Sequence, residues 1–178
     1  EFYTGRKFVK VIINNLAYEI EKYFHQNPSG VDNSAACFGG LILYKKNSYL
    51  KNLNIIIPKD FQNKLFLIDS GKPFETTGEM VDYVSTKPVQ KILDKIEIQT
   101  RKILDAIEKE NINLFKKSLV DNENLLEQLD VVSEKTKKLL KDLSKFGVGK
   151  VTGAGGRKTD SGFILFYADQ TDKLINFL

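Results

Sequence analysis

The chain has 178 residues, 42% apolar and 28% charged, with 27 basic and 23 acidic side chains for a formal charge of +4. That is enough for one large or two small domains with a real core, and the lysines alternate with acidic residues as on solvated helix faces rather than clustering as on a nucleic-acid surface. One cysteine, Cys37, and one histidine, His25, exclude an intrachain disulfide and a Cys/His zinc cluster. No apolar run approaches the ~20 residues that span a bilayer, and no signal peptide is visible, so neither nucleic acid nor membrane is expected as a partner.

Apolar residues at Phe8, Val9, Ile12, Ile13, Leu16, Ala17, Ile20, Tyr23 and Phe24 form a helical stripe expected to pack on a core. Pro28 ends that helix, because the residue before a proline avoids the helical region. The junction Asn27-Pro-Ser-Gly-Val-Asp-Asn-Ser34, closed by Gly39-Gly40, follows. It sets Asp32 in a turn, where it could cap a short helix over Ala35–Phe38.

Leu41–Tyr44 and Leu53–Ile57 read as strands around a turn at Lys45–Ser48, and Leu65–Ile68 as a third, covered on both faces or on the core side of a sheet. Glu75–Val84 is a short predicted helix starting near Thr76-Thr77. From Lys87 to Phe146 the pattern predicts three helices, with Asn111–Asn113 and Asp121–Asn124 as cap or turn positions; a coiled coil is the alternative. Val148–Thr152 and Phe163–Tyr167 are predicted strands, and Thr171–Leu178 begins a final helix. Strands on either side of a helical block predict an α+β fold with helices on one face of an antiparallel sheet.

Two junctions could carry chemistry. In Lys150-Val-Thr-Gly-Ala-Gly-Gly156, successive small residues would let backbone N–H groups converge on an anion. A tight turn is the plainer reading, since neither common nucleotide fingerprint is present. Asp32 taken alone is a cap, Glu21 a solvated helix residue and His25 a packed histidine.

Together, His25-Gln-Asn-Pro-Ser-Gly-Val-Asp-Asn33, Gly39-Gly40 and the later Lys150–Gly156 segment resemble the GHMP small-molecule kinases, and among them the mevalonate kinase family most closely. The resemblance runs from about Leu16 to Phe166. It implies a GHMP-kinase-like fold: residues 1–60 as the remainder of an N-terminal domain and 61–178 as a ferredoxin-like C-terminal domain, its helical layer on an antiparallel sheet. It implies ATP and Mg²⁺ as cofactors and mevalonate as the small-molecule substrate in isoprenoid synthesis, in the cytoplasm. Asp32 matches the catalytic aspartate, which takes or orients the substrate's hydroxyl proton. Glu21 matches the Mg²⁺ carboxylate, and Thr76 a threonine near the catalytic centre. Gly153, Ala154, Gly155 and Gly156 match the phosphate-site loop, and Ser29 and Gly30 the turn that presents Asp32.

The chain departs from that pattern in two places. After Gly156 it reads Arg157-Lys-Thr-Asp-Ser-Gly162, longer and more charged than the family's loop, so Arg157 or Lys158 could supply a cation. The family's serine- and glycine-rich ATP loop and active-site lysine have no counterpart, which predicts the later portion of a kinase, inactive by itself. Such a portion would work with a companion N-terminal segment or in a homodimer. The alternatives are a kinase for phosphomevalonate or another small alcohol, and a non-catalytic binding module of the same fold.

Overall fold

The computed structural model describes residue 5 and residues 8–24 and 28–178; His25 and Asn27 fall outside them. The chain divides into two compact units, Glu1–Ile56 and Ile57–Leu178.

The first unit holds α1 (Lys10–Phe24), α2 (Val31–Phe38) and a hairpin of β1 (Leu41–Lys45) with β2 (Tyr49–Leu53). Asn47 turns the hairpin at φ 58°, a conformation that asparagine tolerates. The turn sets Lys45 opposite Tyr49, and four pairs further on Leu53 meets Leu41, the first residue of β1, so the pairing ends there. The apolar run over 53–57, expected as a strand, therefore contributes only Leu53. The stripe on α1 also differs from expectation, because Ile12, Ile13, Leu16 and Ile20 stay roughly half exposed. Helix α1 meets α2 through more polar residues: the Asn33 amide on α2 donates to the Asn14 side-chain oxygen at 2.7 Å and to the Asn14 carbonyl at 3.2 Å.

The second unit comprises α3 (Lys59–Gln62), β3 (Leu65–Asp69), α4 (Thr77–Ser85), α5 (Gln90–Glu108), α6 (Ile112–Gln128), α7 (Glu134–Leu143), β4 (Gly147–Val151), β5 (Phe163–Ala168) and α8 (Thr171–Phe177). Its sheet has the order β3-β5-β4 with both pairings antiparallel. Strands β3 and β4 thus run parallel on either side of β5, the split β-α-β arrangement of ferredoxin-like folds. Alternation along β5 buries Ile164, Phe166 and Ala168 completely. They form the core with Ile68, Met80, Leu129, Val131, Val132, Leu143, Val151 and Leu174. The opposite face is covered at one end, where Tyr167 packs edge-on against Phe61 and Phe115, and leaves Leu67 and Phe163 largely exposed.

Side-chain caps begin three of the helices. Thr76 starts α4, Asn111 accepts from the Leu114 amide at 3.0 Å to start α6, and Ser133 accepts from the Thr136 amide at 3.1 Å to start α7. The turn expected at Asp121–Asn124 is absent and α6 runs through it. Asn122 and Glu123 face inward there, and the Glu123 carboxylate accepts the Val151 amide of β4 at 2.7 Å. A polar pair that resembles a break in sequence is in fact a helix-to-strand contact. Among the described residues, no helix is long and apolar enough to cross a membrane.

Candidate functional site

The turn before α2 is fixed from several directions. The Ser29 hydroxyl accepts the Val31 amide at 3.2 Å, the Tyr44 hydroxyl donates to the Ser29 carbonyl at 2.6 Å, and Lys46 donates to the Pro28 carbonyl at 2.8 Å. Burial, and secondarily the Tyr18 phenol nearby, hold the Tyr44 hydroxyl above its usual pKa, so it remains a donor. Gly30 sits at φ 82°, and a Cβ there would lie 2.7 Å from the Tyr44 hydroxyl oxygen and 3.2 Å from the Tyr18 ring. Only glycine meets both conditions. The Ser34 hydroxyl closes the turn by donating to the Gly30 carbonyl at 2.6 Å.

These contacts start the helix at Val31, with Asp32 inside its first turn rather than capping a helix over Ala35–Phe38. Asp32 is exposed, and its carboxylate has no hydrogen bond or ion pair among the described residues. Glu21 follows Tyr18 by three residues and so lies on the same face of α1, one turn beyond the ring that touches Gly30. It is half-buried and likewise unpaired among the described residues. Nowhere among those residues do three or more His, Cys, Asp or Glu side chains converge on a metal position. Mg²⁺ commonly takes one or two carboxylates and completes its shell with phosphates and water, so Glu21 alone fits the donor type.

In the second unit the glycine loop joins β4 to β5. The Thr152 amide is held by the Phe163 carbonyl at 2.8 Å and the Gly156 amide by the Val131 carbonyl at 2.9 Å. Between them the amides of Gly153, Ala154 and Gly155 meet no acceptor among the described residues. Successive unpaired amides can converge on an anion, although Gly155 itself is buried. At Gly155 (φ 74°) a Cβ would lie 2.1 Å from the Val131 carbonyl oxygen, so the loop lies flat on the segment that follows α6. Beneath it, the Ser161 hydroxyl donates to the Gly156 carbonyl at 2.9 Å and accepts the Ser133 amide at 2.9 Å. Ser70 and Thr136 extend this buried hydroxyl cluster.

Thr76 is the N-cap of α4 in a capping box. Its hydroxyl oxygen accepts the Glu79 amide at 3.3 Å, while Glu79 accepts the Thr76 amide at 2.7 Å and the Thr76 hydroxyl at 2.9 Å. Those two hydrogen bonds hold the Glu79 carboxyl below the usual range. Its neighbour Glu75 accepts the Arg157 amide at 3.2 Å, which ties the Thr76 segment to the end of the glycine loop. Burial pushes the Glu75 carboxyl up, but amide donors from Arg157, Glu75 itself and Lys158 outweigh it and hold the group low.

The cations of the charged loop are engaged within the fold. Arg157 pairs with Asp130 at 2.9 and 3.1 Å and stacks on Tyr83, its guanidinium carbon 3.9 Å from the ring centre. Lys158 lies over Phe74 at 4.4 Å. Sequence reasoning missed Glu75, Tyr83 and Asp130, and no local signal could have found them, because 27 residues separate Asp130 from Arg157.

No protein-family model matches the chain. Mevalonate kinase of Gibberella zeae is 29% identical over 160 residues, covering 81% of this chain and 32% of that protein. Mevalonate kinase of Candida albicans is 29% identical over 150 residues, covering 76% and 35%. The crystal structure of Methanococcus jannaschii mevalonate kinase superposes with a TM-score of 0.78 at 25% identity, covering 99% of this chain and 55% of that one. The chain has the fold of the GHMP kinases. Sequence and fold thus agree with the resemblance carried by the Asn27–Asn33 and Thr152–Gly156 segments. Streptococcus pneumoniae phosphomevalonate kinase, solved with phosphomevalonate and AMPPNP, shares the fold at TM-score 0.76 and 18% identity, covering 96% of this chain and 58% of that one. The chain spans about a third of the length of these curated relatives and about half of the solved chains.

Proposed function

We propose that the protein carrying this chain is a kinase that transfers the γ-phosphoryl group of ATP to the primary hydroxyl of mevalonate, giving 5-phosphomevalonate and ADP in isoprenoid synthesis. The observation that carries the reading is Asp32, an exposed and unengaged carboxylate behind a turn that allows only glycine at position 30. It lies in the segment through which the chain resembles mevalonate kinases.

The hydroxyl oxygen attacks the γ-phosphorus in line, the bond to the β–γ bridging oxygen breaks, and ADP leaves with that electron pair. Asp32 accepts the hydroxyl proton. Ser29 and Gly30 hold Asp32 toward the substrate, and the Thr76 hydroxyl assists the transfer. The amides of Gly153, Ala154 and Gly155 donate to phosphate oxygens, and Gly156 anchors their loop. Glu21 would hold Mg²⁺, which when bound with ATP neutralises charge on the phosphates. Phosphoryl transfer depends on positioning and charge neutralisation more than on covalent chemistry, and these groups are of that kind. In this reading the first unit ends an N-terminal domain and the second is the C-terminal domain of a cytoplasmic enzyme.

The test is ADP release in the presence of mevalonate, with any sequence that flanks these residues in the gene included. Asp32→Asn keeps the shape and removes the proton acceptor, so kcat should fall on the order of 10²–10⁴-fold with an unchanged circular dichroism spectrum. Near-wild-type turnover by the variant refutes the assignment. Phosphomevalonate offered in the same assay decides between the two acceptors.

A further inference from the structure

The charged loop Arg157–Asp160 lies where the glycine loop ends, and each of its four side chains has a partner. Arg157 takes Asp130 and the Tyr83 ring, Lys158 takes the Phe74 ring, the Thr159 hydroxyl donates to the Lys72 carbonyl at 3.3 Å, and Asp160 takes Lys135 at 2.7 Å. These partners fall in two short segments, 72–83 and 130–135. The first contains Thr76. The second contains Val131, whose carbonyl holds the Gly156 amide.

Arg157 joins the two segments. Its amide goes to Glu75, the neighbour of Thr76, and its guanidinium goes to Asp130, the neighbour of Val131. Asp130 is itself bound by the Tyr83 hydroxyl from α4 and by Lys87 at 3.5 Å. One carboxylate oxygen thus gathers a hydroxyl and two cations from three places in the chain. The Tyr83 hydrogen bond, followed by Arg157 and Lys87, holds the Asp130 carboxyl below the usual range despite the opposing effect of its burial. The planar guanidinium makes two N–H contacts and a ring stack at once, a combination that the point charge of lysine cannot reproduce.

We propose that Arg157 is a positioning residue for phosphoryl transfer: through Asp130, Tyr83 and Glu75 it holds the Gly153–Gly155 loop in register with Thr76. The inference rests on the kinase reading for its catalytic consequence but not for its structural one. Its guanidinium neutralises Asp130 instead of reaching the nucleotide. Loosening the clamp lets the phosphate cradle and the Thr76 segment drift independently, and a misplacement of about 1 Å can cost on the order of 10²-fold in rate.

Two measurements on the full-length protein test this. In the first, amide hydrogen exchange compares wild type with Arg157→Met and Asp130→Asn; asparagine accepts the φ of 59° that Asp130 adopts. Exchange should quicken in both variants at the hydrogen-bonded amides of Gly156 and Arg157 and of Thr76, Glu79 and Met80 together, while β3 and β5 stay protected. A change confined to position 157 or 130 overturns the clamp.

In the second, kcat should fall on the order of 10- to 100-fold in Arg157→Met and Asp130→Asn, at temperatures well below their unfolding midpoints. Arg157→Lys should recover part of that loss. Unchanged kcat in an active enzyme overturns the positioning role. If the wild-type protein does not phosphorylate mevalonate, the functional reading fails, and the exchange data still decide whether the clamp exists.

Discussion

Glu123 makes the stability of the second unit depend on pH near neutrality. The residue is 6% exposed; one carboxylate oxygen accepts the Val151 amide at 2.7 Å, and the other is buried without a hydrogen-bond partner among the described residues. The charged groups around it are Lys150 on β4, Lys137 on α7 and Glu127 one turn along α6. Burial dominates these influences and pushes the carboxyl from 4.5 up to about 7. Lys150 is lowered in turn, first by its own burial and against the pull of Glu123.

Because the folded value lies above the unfolded one, Glu123 costs nothing below pH 4.5, where both states hold the proton. Between pH 4.5 and 7 the unfolded chain releases its proton while the native state keeps it, so stability falls as pH rises. The interval of 7 − 4.5 = 2.5 units, at ~1.4 kcal/mol per unit, amounts to about 3 kcal/mol. Above pH 7 the loss is complete and constant. Glu123→Gln keeps an acceptor for the Val151 amide and removes the charge. Urea unfolding followed by circular dichroism from pH 4.5 to 8 should therefore show the variant gaining about 3 kcal/mol on wild type across that range. Parallel stability curves for the two proteins would refute the reasoning.

Two further substitutions probe the candidate site. Gly30→Ala places a methyl group 2.7 Å from the Tyr44 hydroxyl in a left-handed conformation. It should cost about 1–3 kcal/mol, read as lost helicity of the first unit, and should depress phosphoryl transfer by moving Asp32. Thr76→Ala removes a capping box and should lower stability by about 1 kcal/mol, read in urea unfolding. Thr76→Asn restores the cap and a donor to Glu79 without the hydroxyl, so recovered stability with activity still low would separate the catalytic from the structural role.

Much of the fold was legible in sequence because its signals are local. The helical periodicity over 87–146, the apolar run at Phe163–Tyr167 and the caps at Thr76 and Asn111 each act within a few residues. The errors came where a distant partner decided the outcome. Residues 53–57 have the composition of a strand, but the hairpin turn had already paired β1 with β2 over Tyr49–Leu53. The α1 stripe has core periodicity, but periodicity does not supply the surface that would cover it.

For the site, the sequence alone determined which residues to inspect. Asp32, Glu21, Thr76 and the Gly153–Gly156 loop were singled out by the resemblance to the GHMP kinases, since each taken alone reads as a cap, a solvated residue or a tight turn. Whether each is free to act depends on what surrounds it, and only tertiary structure decided that. Asp32 was ambiguous between a cap and an open carboxylate until Ser29, Gly30 and Tyr44 started the helix at Val31 and left its side chain unengaged. Arg157 had the charge of a phosphate ligand until Asp130 and Tyr83, both remote in sequence, claimed it. A residue's type fixes the chemistry open to it, but whether that chemistry is available depends on which distant groups compete for the same atoms.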